Sequence, residues 1–413
     1  MGYGFSREDV AFLGSASGAA ALAEVERLEL TPATHLRDLE RVRREYAGFA
    51  AALIETVRLR RKAGAKLRDA GAWLFTDDAL QQATPTLVAR HRAGRLAGRS
   101  VHDVTCSIGA ELAELARVCP AVLGSDLDDV RLAIAAHNLA ALRYVPAAAS
   151  SPLPSTATPR NVLLARADAL RPVSVGTVVI ADPARRADGR RTHDPAKLQP
   201  PLPDLLTAYA GRDIAVKCAP GLDFGRLDWS GEIEVVSLDG VVREACLWSP
   251  GLTDPGVTRR ATVLSASGPA YELSDAESDE IPERGPGAWI IDPDGAVVRA
   301  GLVRHYAAKY GLWQLDPNIA YLTGDRVPDG MRGFRIVDRL ELREKTLRQE
   351  LARRDCGALE ILVRGVDVDP DALRKRLKLR GAQPYTLVIT RIGRTAAVFL
   401  CTAHRSIGDL AGV

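Results

Sequence analysis

The sequence predicts an α/β protein built around a mainly parallel sheet, and three observations support this fold class. From Val101 to about Pro250, short β-branched runs alternate with helical segments, which is the pattern of βαβ units. The residues before this stretch carry Ala, Leu and charged side chains at helical spacing. The residues after Gly330 follow the order βαβαββ, which is typical of a small two-layer domain. At 413 residues the chain also exceeds the usual size of a single core.

The N-terminal region is predicted to be helical. Helical spacing covers Ala19–Leu30 and Leu36–Lys66, and Thr31–Pro32 is typical of a helix start. A basic run from Arg58 to Gly71 is either a solvated helix face or a phosphate-binding surface. The whole chain is predicted to contain four regions: a helical region over 1–72, the sheet domain over 73–250, a connecting α/β region over 251–330, and the C-terminal domain over 331–413.

The sheet domain contains seven predicted strands, and the last two flank Asp239–Gly240, a strong hairpin signal. The runs are SVHDVT, AVLGSD, NVLLARAD, VGTVVIAD, DIAVKCA, EIEVVSL and REACLWS. A Pro/Ser/Ala-rich stretch, Pro146–Pro159, is predicted to be a surface loop. Five parallel strands followed by a hairpin is the strand count of a Rossmann-like class I methyltransferase sheet.

The connecting region gives weaker patterns. We predict an acidic loop at Ser274–Glu283, a strand at AWIIDP and a helix at Ala296–Tyr310. The C-terminal domain is clearer, with strands FRIVDRLE, ALEILVRG, PYTLVITRI and TAAVFLC and helices REKTLRQELARRD and PDALRKRLKL. The boundary between the two regions is placed at the turn-rich stretch YLTGDRVPDG.

Composition excludes some classes of protein. No run of 18 apolar residues exists, so we expect no membrane-spanning helix. The six cysteines are scattered without a C-x-x-C pair, which argues against a zinc site or a disulfide framework and favours the bacterial cytoplasm. Net charge is +3, with 47 Arg against 8 Lys; this bias is compatible with nucleic-acid binding and also with a GC-rich genome. The oligomeric state stays open.

Polar residues follow four successive predicted strands. The turn DVTCSIG, from Asp103 to Gly109, closes the first strand and is rich in small residues that let the backbone approach a ligand. Asp126, about 20 residues on, can accept both hydroxyls of a ribose. Asp168 comes just after the third strand, where it can accept an adenine amino group, and Asp182–Pro183 lies at the end of the fourth. Each Asp taken alone could instead be a helix cap or a turn residue.

Four such sites in the correct order predict a nucleoside cofactor at the carboxyl edge of the sheet. NAD is disfavoured, because only Gly109 of the G-x-G-x-x-G fingerprint is present. The sequence therefore predicts S-adenosylmethionine as the cofactor and a methyltransferase fold.

Several blocks of the sequence carry a family resemblance. DVTCSIGAELAEL, SDLDDVRLAIAAHNLA and VVIADPARR resemble the methyltransferases of RNA guanine-N2 methylation, including trimethylguanosine synthase. FTDDALQQAT, DPARR, VKCAPGLD and GLWQLDPNIAYLTGD resemble bacterial methyltransferases with a C-terminal THUMP-like domain, over about residues 70–413. This resemblance implies a cofactor-dependent enzyme with an RNA-binding type of module over 331–413.

The resemblance also implies a role for individual residues. Asp103, Thr105 and Gly109 would line the methionine end of the cofactor, Asp126 the ribose, and Asp168 with Ala169 the adenine. Asp182 and Pro183 would face the transferred methyl group. Phe75 and Thr76 would close over the cofactor. The resemblance thus implies two groups of site residues. The cofactor-binding residues are Phe75, Thr76, Asp103, Thr105, Gly109, Asp126, Asp168 and Ala169, and the catalytic residues are Asp182 and Pro183.

The chain departs from this pattern beside the methyl group. Amine-methylating enzymes usually place an aromatic residue after D/N-P-P, and this chain has Ala184, Arg185 and Arg186. Arg185 and Arg186 are candidate phosphate contacts or part of a solvated loop. Lys217 either snorkels to the sheet edge or reaches into the cleft, where it is a candidate substrate contact. Three functions stay open: methylation of ribosomal or transfer RNA at a base nitrogen, methylation of a small molecule or protein, and a non-catalytic assembly factor.

Overall fold

The computed structural model divides the chain into two compact units, Met1–Asp228 with Cys246–Leu252, and Trp229–Ala245 with Thr253–Val413. The described residues are 3–68, 70–142, 161–184, 186–187, 190–191, 194–328 and 331–404. For residues 186, 187, 190, 191, 226, 403 and 404 only the backbone is described. The predicted loop at Pro146–Pro159 and the predicted boundary residue Gly330 lie outside the described residues.

The first unit contains helices before and between its strands. Its helices are α1 (Arg7–Leu13), α2 (Ala16–Val25), α3 (His35–Tyr46), α4 (Ala50–Ala63), α5 (Asp77–Gln82), α6 (Thr86–Arg95), α7 (Ala110–Val118), α8 (Asp129–Ala140) and α9 (Leu202–Ala208). Its strands are β1 (Val101–Asp103), β2 (Val122–Asp126), β3 (Val162–Arg166), β4 (Val178–Ala181), β5 (Arg186–Ala187), β6 (Arg190–Arg191) and β7 (Ile214–Cys218).

The N-terminal helices differ in detail from the prediction. The predicted helix Leu36–Lys66 is divided, because Ala47 takes a φ of 41° and ends α3 before α4 begins. Leu13 of α1 and Leu53 of α4 lie in the same hydrophobic core as Ile134 of α8. The helical region thus shares a core with the sheet domain.

The basic run from Arg58 to Gly71, which begins in the last turns of α4, makes contacts within the protein. Arg60 donates to the carbonyls of Ala72 and Trp73 at 2.9 Å, and Lys66 donates to those of Leu80 and Gln81 at 3.0 and 2.9 Å. These side chains hold the segment before α5 and the end of α5 itself, so a purely solvated helix face does not describe them.

The sheet of the first unit has the order β3-β2-β1-β4-β7, and each of these neighbouring pairs of strands is parallel. A later strand, β9 (Val241–Trp248), lies beside β7, and Cys246–Trp248 of this strand belong to the first unit. The chain order reverses at β1, which lies between β2 and β4. Ligands of open α/β sheets bind at the carboxyl ends of the strands beside such a reversal.

The second unit contains the hairpin partner of β9 and all later elements. Its further strands are β8 (Glu232–Leu238), β10 (Arg259–Leu264), β11 (Tyr271–Ser274), β12 (Trp289–Ile291), β13 (Trp313–Gln314), β14 (Leu322–Gly324), β15 (Gly333–Leu340), β16 (Cys356–Arg364), β17 (Gln383–Ile392) and β18 (Thr395–His404). Its helices are α10 (Gly295–Ala300), α11 (Val303–Tyr310), α12 (Glu344–Arg353) and α13 (Pro370–Leu377).

A seven-stranded sheet with the order β13-β14-β12-β15-β18-β17-β16 spans most of this unit. Because β12 pairs antiparallel with β15, the predicted regions 251–330 and 331–413 share one sheet. Leu347 and Leu373 pack α12 and α13 against one face of the sheet. Leu315 and Tyr321 pack against Phe334 in a separate cluster. The structure therefore groups the two predicted regions together.

The predicted helix Ala296–Tyr310 is two helices. Gly301 takes a φ of 78°, the left-handed conformation that ends α10, and α11 begins two residues later. Strands β10, β11, β13 and β14 were not predicted, since each is short or lacks a clear alternation of apolar and polar residues.

Candidate functional site

The carboxyl ends of β1, β2, β3 and β4 open onto a cavity of about 820 Å³ in the first unit. Six predicted site residues line it: Asp103, Thr105, Asp126, Asp168, Ala169 and Asp182. Phe75, Thr76, Gly109, Pro183 and Lys217 lie outside its lining. Arg185 is outside the described residues, and Arg186 is described by its backbone alone.

The turn after β1 approaches the cavity through its backbone. Gly109 takes a φ of 80° where α7 begins, and Ser107 takes a φ of 49°. A side chain at Gly109 would meet Cβ of Ala135 at 3.2 Å. The Ser107 amide donates to Oδ2 of Asp126 at 3.0 Å, which joins the ends of β1 and β2. Gly109 thus shapes the turn without lining the cavity.

Asp103 is a buried carboxyl group at the base of this turn. Its Oδ1 accepts the amide of Thr105 at 3.0 Å. Burial, followed by repulsion from Glu111, Asp182 and Asp126, raises the pKa of Asp103 to about 8. A cationic group bound in the cavity would favour the ionised form of Asp103, because it would offset both effects.

The next two strand ends hold carboxylates through backbone amides. Asp126 accepts the amides of Ser107 and Asp128, each at 3.0 Å, and Asp168 accepts that of Leu170 at 2.9 Å. Leu127, directly after Asp126, lines the cavity with 60% of its surface exposed. An apolar side chain at this place can cover one face of a planar ring, and Leu127 was not predicted as a site residue from the sequence.

Asp182 connects three parts of the site. Its amide donates to Oγ1 of Thr105 at 2.7 Å, and its Oδ2 accepts Nζ of Lys217 at 2.6 Å. Lys217 also donates to the carbonyl of Gln82 at 3.3 Å. The Asp182 side chain is 38% exposed, whereas that of Lys217 is 5% exposed. Lys217 therefore does not snorkel to solvent at the sheet edge; it reaches toward the cleft, where it pairs with Asp182 and stays outside the cavity lining.

One wall of the cavity comes from the segment around α5. Ala79, Gln82 and Thr84 line it. Phe75 is fully buried in the core, and Thr76 accepts the amide of Ala79 as the helix cap. The predicted pair Phe75 and Thr76 therefore supports this wall without lining the cavity.

Asn138 of α8 anchors the start of this segment. Its side-chain amide is fully buried, exchanges hydrogen bonds of 2.8 and 3.0 Å with the backbone of Leu74, and donates to the carbonyl of Ile108. The turn after β1 and the segment before α5 are thereby joined through one side chain.

Two other parts of the lining were missed by the sequence analysis. Arg92 of α6 is buried at the cavity and pairs with Glu111 at 3.2 Å. The segment 196–201 forms a further wall, and Ala184 and Gln199 exchange two backbone hydrogen bonds of 2.8 and 3.0 Å. Arg92 and the segment 196–201 belong to no sequence motif, because only the tertiary fold brings them to the cavity. None of the lining residues is aromatic among those that the structure describes.

Comparisons with known proteins decide the family. Residues 331–403 match the family model described as THUMP domain-like, and residues 6–63 match that of a domain of unknown function. Two curated relatives, from the CDC 1551 / Oshkosh and H37Rv strains of Mycobacterium tuberculosis, are 54% identical over 361 residues, covering 85% of this chain and 96% of theirs. Both are named uncharacterized S-adenosylmethionine-dependent methyltransferases. The chain belongs to this family.

A crystal structure of an assigned methyltransferase from Porphyromonas gingivalis W83 has the same fold as this methyltransferase. It aligns with a TM-score of 0.71 at 18% identity and covers 97% of this chain and 100% of its own. The predicted fold class is confirmed: a Rossmann-like methyltransferase sheet with a THUMP-like domain at the C-terminus.

The cavity of the methyltransferase fits S-adenosylmethionine, its cofactor. Its volume lies within the range of roughly 300–1,000 Å³ that is typical of small-molecule sites. Asp103, Glu111, Asp126 and Asp182 line it, and such carboxylates favour the ammonium and sulfonium groups of this cofactor.

Over the residues described, no His/Cys/Asp/Glu group suited to a metal ion is found. No helix within these residues has the length and apolar character needed to span a membrane.

Proposed function

We propose that this methyltransferase acts on RNA, ribosomal or transfer, and methylates a base nitrogen. The observation that carries the proposal is Asp182, a carboxylate at the end of β4 that lines the cofactor cavity and is partly exposed there. The family match of residues 331–403 supports RNA as the substrate class, because THUMP domain-like modules are of an RNA-binding type.

The cofactor contacts are proposed on the same geometry. Asp103 and the turn beginning at Thr105 would hold the methionine end, where the buried carboxyl group meets the cofactor's positive charge. Asp126 would accept the ribose hydroxyls. Asp168 and Ala169 would contact the adenine. The support for each contact is its place in the cavity lining and the backbone bonds that hold the carboxylates.

Asp182 would act on the acceptor. The cofactor supplies a methyl group that is already activated as a sulfonium. The protein's task is therefore to position the acceptor nitrogen and to exclude water. We infer that the Asp182 carboxylate accepts a hydrogen of an exocyclic amine and directs the nitrogen lone pair, without acting as a strong base. Pro183 would present the neighbouring backbone. The bond from the Asp182 amide to Thr105 supports a fixed position.

The C-terminal domain would supply the RNA contacts. Arg353 and Arg374 pair with carboxylates of their own helices at 2.9 and 2.6 Å, and Arg354 pairs with Asp338 at 2.6 Å. These pairs offset part of the positive charge of α12 and α13. Lys375 and Lys378 are exposed at the end of α13 and are the better candidates for phosphate contacts.

A second candidate function is methylation of a small molecule or a protein side chain. The observation in its favour is that no described residue of the lining is aromatic, so the cavity shows no platform on which a base would stack. This candidate gives no role to the THUMP-like domain. It predicts that methyl transfer is independent of RNA.

Mass spectrometry of modified nucleosides tests the proposal. RNA from a deletion strain is compared with RNA from its parent and from a strain that carries the gene again. We expect one methylated nucleoside to be absent after deletion and restored on complementation. Identical nucleoside profiles in all three strains would contradict an RNA substrate and favour the second candidate.

A further inference from the structure

Lys217 is the charged residue of β7, a strand whose five residues are all buried. A buried ammonium group is strongly unfavourable unless it is paired and hydrogen-bonded. Lys217 meets this condition with two acceptors, Oδ2 of Asp182 at 2.6 Å and the carbonyl of Gln82 at 3.3 Å. Its ammonium group therefore joins the end of β4 to the wall formed by α5.

The second acceptor shows what this contact does for the cavity. Gln82 lines the cavity from one side and Asp182 from another. The carbonyls of Leu80 and Gln81, just before Gln82, accept Nζ of Lys66. Two lysines thus hold three successive carbonyls of one wall, and one of these lysines also holds Asp182.

We propose that Lys217 is a positioning residue for methyl transfer, which holds the Asp182 carboxylate in place and ties it to the wall at Gln82. The proposal rests on the proposed function of Asp182. The ammonium group occupies Oδ2, and no protein hydrogen bond to Oδ1 is found among the described contacts. Oδ1 is then the oxygen that accepts a hydrogen of the acceptor.

The proposed positioning role of Lys217 takes the place of a direct contact between Lys217 and the substrate. The Lys217 side chain is 5% exposed and is not part of the cavity lining, so an acceptor in the cavity meets Asp182 and not the ammonium group behind it. Lysine suits this task, because its compact head has three donors that can reach acceptors on two different elements. The protein uses lysine here although 47 of its 55 basic residues are arginine.

The test compares Lys217→Met with wild type on RNA from the deletion strain. We expect kcat to fall by about tenfold or more, with the KM for RNA and the Kd for S-adenosylmethionine changed by less than about threefold. In an Asp182→Asn background the same change is expected to lower kcat by less than about twofold, since the partner is already altered. Lys309→Met is the matched control, because it removes a surface lysine that pairs with Glu277 at 3.1 Å, and it is expected to leave kcat unchanged.

Hydrogen exchange gives a readout that needs no substrate. In Lys217→Met we expect faster amide exchange over residues 79–84 and at Ala184, with no change over the remaining strands of the sheet. If this variant does not fold, Lys217→Gln takes its place in both measurements, since glutamine keeps a donor without the charge.

The outcomes separate the two proposals. Wild-type kcat and exchange in the Lys217 variant would overturn the positioning role, as would a raised KM for RNA with unchanged kcat, which indicates substrate contact. A wild-type protein that methylates no RNA would contradict the proposed function, and the exchange measurement would still decide whether Lys217 holds this wall.

Discussion

At the scale of single residues, the proposed contact of Asp126 with the cofactor is the easiest to test. It accepts two backbone amides and lies at the end of β2 in the cavity lining. We expect Asp126→Ala to weaken S-adenosylmethionine binding more than about tenfold, because hydrogen bonds to a charged group contribute about 1.5–3 kcal/mol. Isothermal titration calorimetry measures the change.

Asp128 provides the control for this substitution. Its carboxylate caps α8 through the amides of Val130 and Arg131 and does not line the cavity. Asp128→Ala should leave cofactor affinity within about twofold, although it removes a cap that contributes about 1 kcal/mol to stability. Equal losses of affinity in the two variants would mean that Asp126 acts only by supporting the turn.

Asp103 gives the protein a defined pH dependence. Its pKa is about 8 in the folded protein, against about 3.9 in an unfolded chain. The folded state therefore retains a proton that the unfolded state loses, and the free energy of unfolding contributed by this group falls as pH rises from about 4 to about 8. Urea unfolding of the cofactor-free protein at pH 5, 7 and 9 measures this decrease.

Asp103→Asn is the comparison for the pH series. Asparagine keeps an oxygen for the Thr105 amide and cannot ionise, so its unfolding free energy should vary less with pH than that of wild type. The same proton should be released when the cationic cofactor binds, and affinity should rise between about pH 6 and 8 in wild type alone. Parallel pH curves for the two proteins would show that another group titrates.

How far the sequence predicts the site depends on the kind of contact. Asp103, Asp126, Asp168 and Asp182 were predicted because each follows a strand, and parallel strands bring their ends to one edge. The pairing of Lys217 with Asp182 was not predicted. The sequence around a lysine in an apolar run does not show which residue the lysine will pair with. The segment 196–201 was also not predicted as part of the site, because backbone hydrogen bonds between Gln199 and Ala184 hold it at the cavity.

At the scale of elements, the predicted strands of the sheet and of the C-terminal domain are present in the structure, because their apolar runs are long. The errors in the predicted helices occur where the structure interrupts a helix that the sequence pattern continues. Ala47 and Gly301 interrupt predicted helices through positive φ angles. Alanine gives no signal for such a conformation, and a single glycine within a helical pattern is only a weak one. Short strands such as β13 and β14 are specified by their neighbours in the sheet and not by their own pattern.

The pairing of β12 with β15 predicts the result of a truncation. A chain that ends at residue 330 would lose β15 and would expose Ile290, Leu315 and Tyr321, which pack with Phe334 in one cluster. We expect this chain to bind the dye ANS and to lack the thermal unfolding transition of the second unit. Differential scanning calorimetry and dye fluorescence measure both effects.

Phe334→Ala in the full chain is the matched control for the truncation. Phe334 is fully buried, and its removal should cost about 3–5 kcal/mol while keeping every strand. A truncated chain that melts as sharply as wild type and binds no dye would mean that residues 331–413 fold as a separate domain, as the sequence boundary implies.

At the scale of the whole molecule, the cavity proposed to hold the cofactor and the acceptor lies in the first unit, and the THUMP domain-like residues lie in the second. All lining residues of the cavity belong to the first unit. The proposed RNA contacts at Lys375 and Lys378 belong to the second. RNA binding should therefore depend strongly on salt, while cofactor binding should depend on the carboxylates of the cavity.

Transfer of a labelled methyl group tests the central claim most directly. Purified protein is incubated with methyl-labelled S-adenosylmethionine and RNA from the deletion strain, and the labelled nucleoside is identified after digestion. We predict label in one nucleoside with the wild type, and a rate lowered by about a hundredfold or more in Asp182→Ala at unchanged cofactor affinity. Absence of label from RNA with the wild type, or full transfer by Asp182→Ala, would contradict the account.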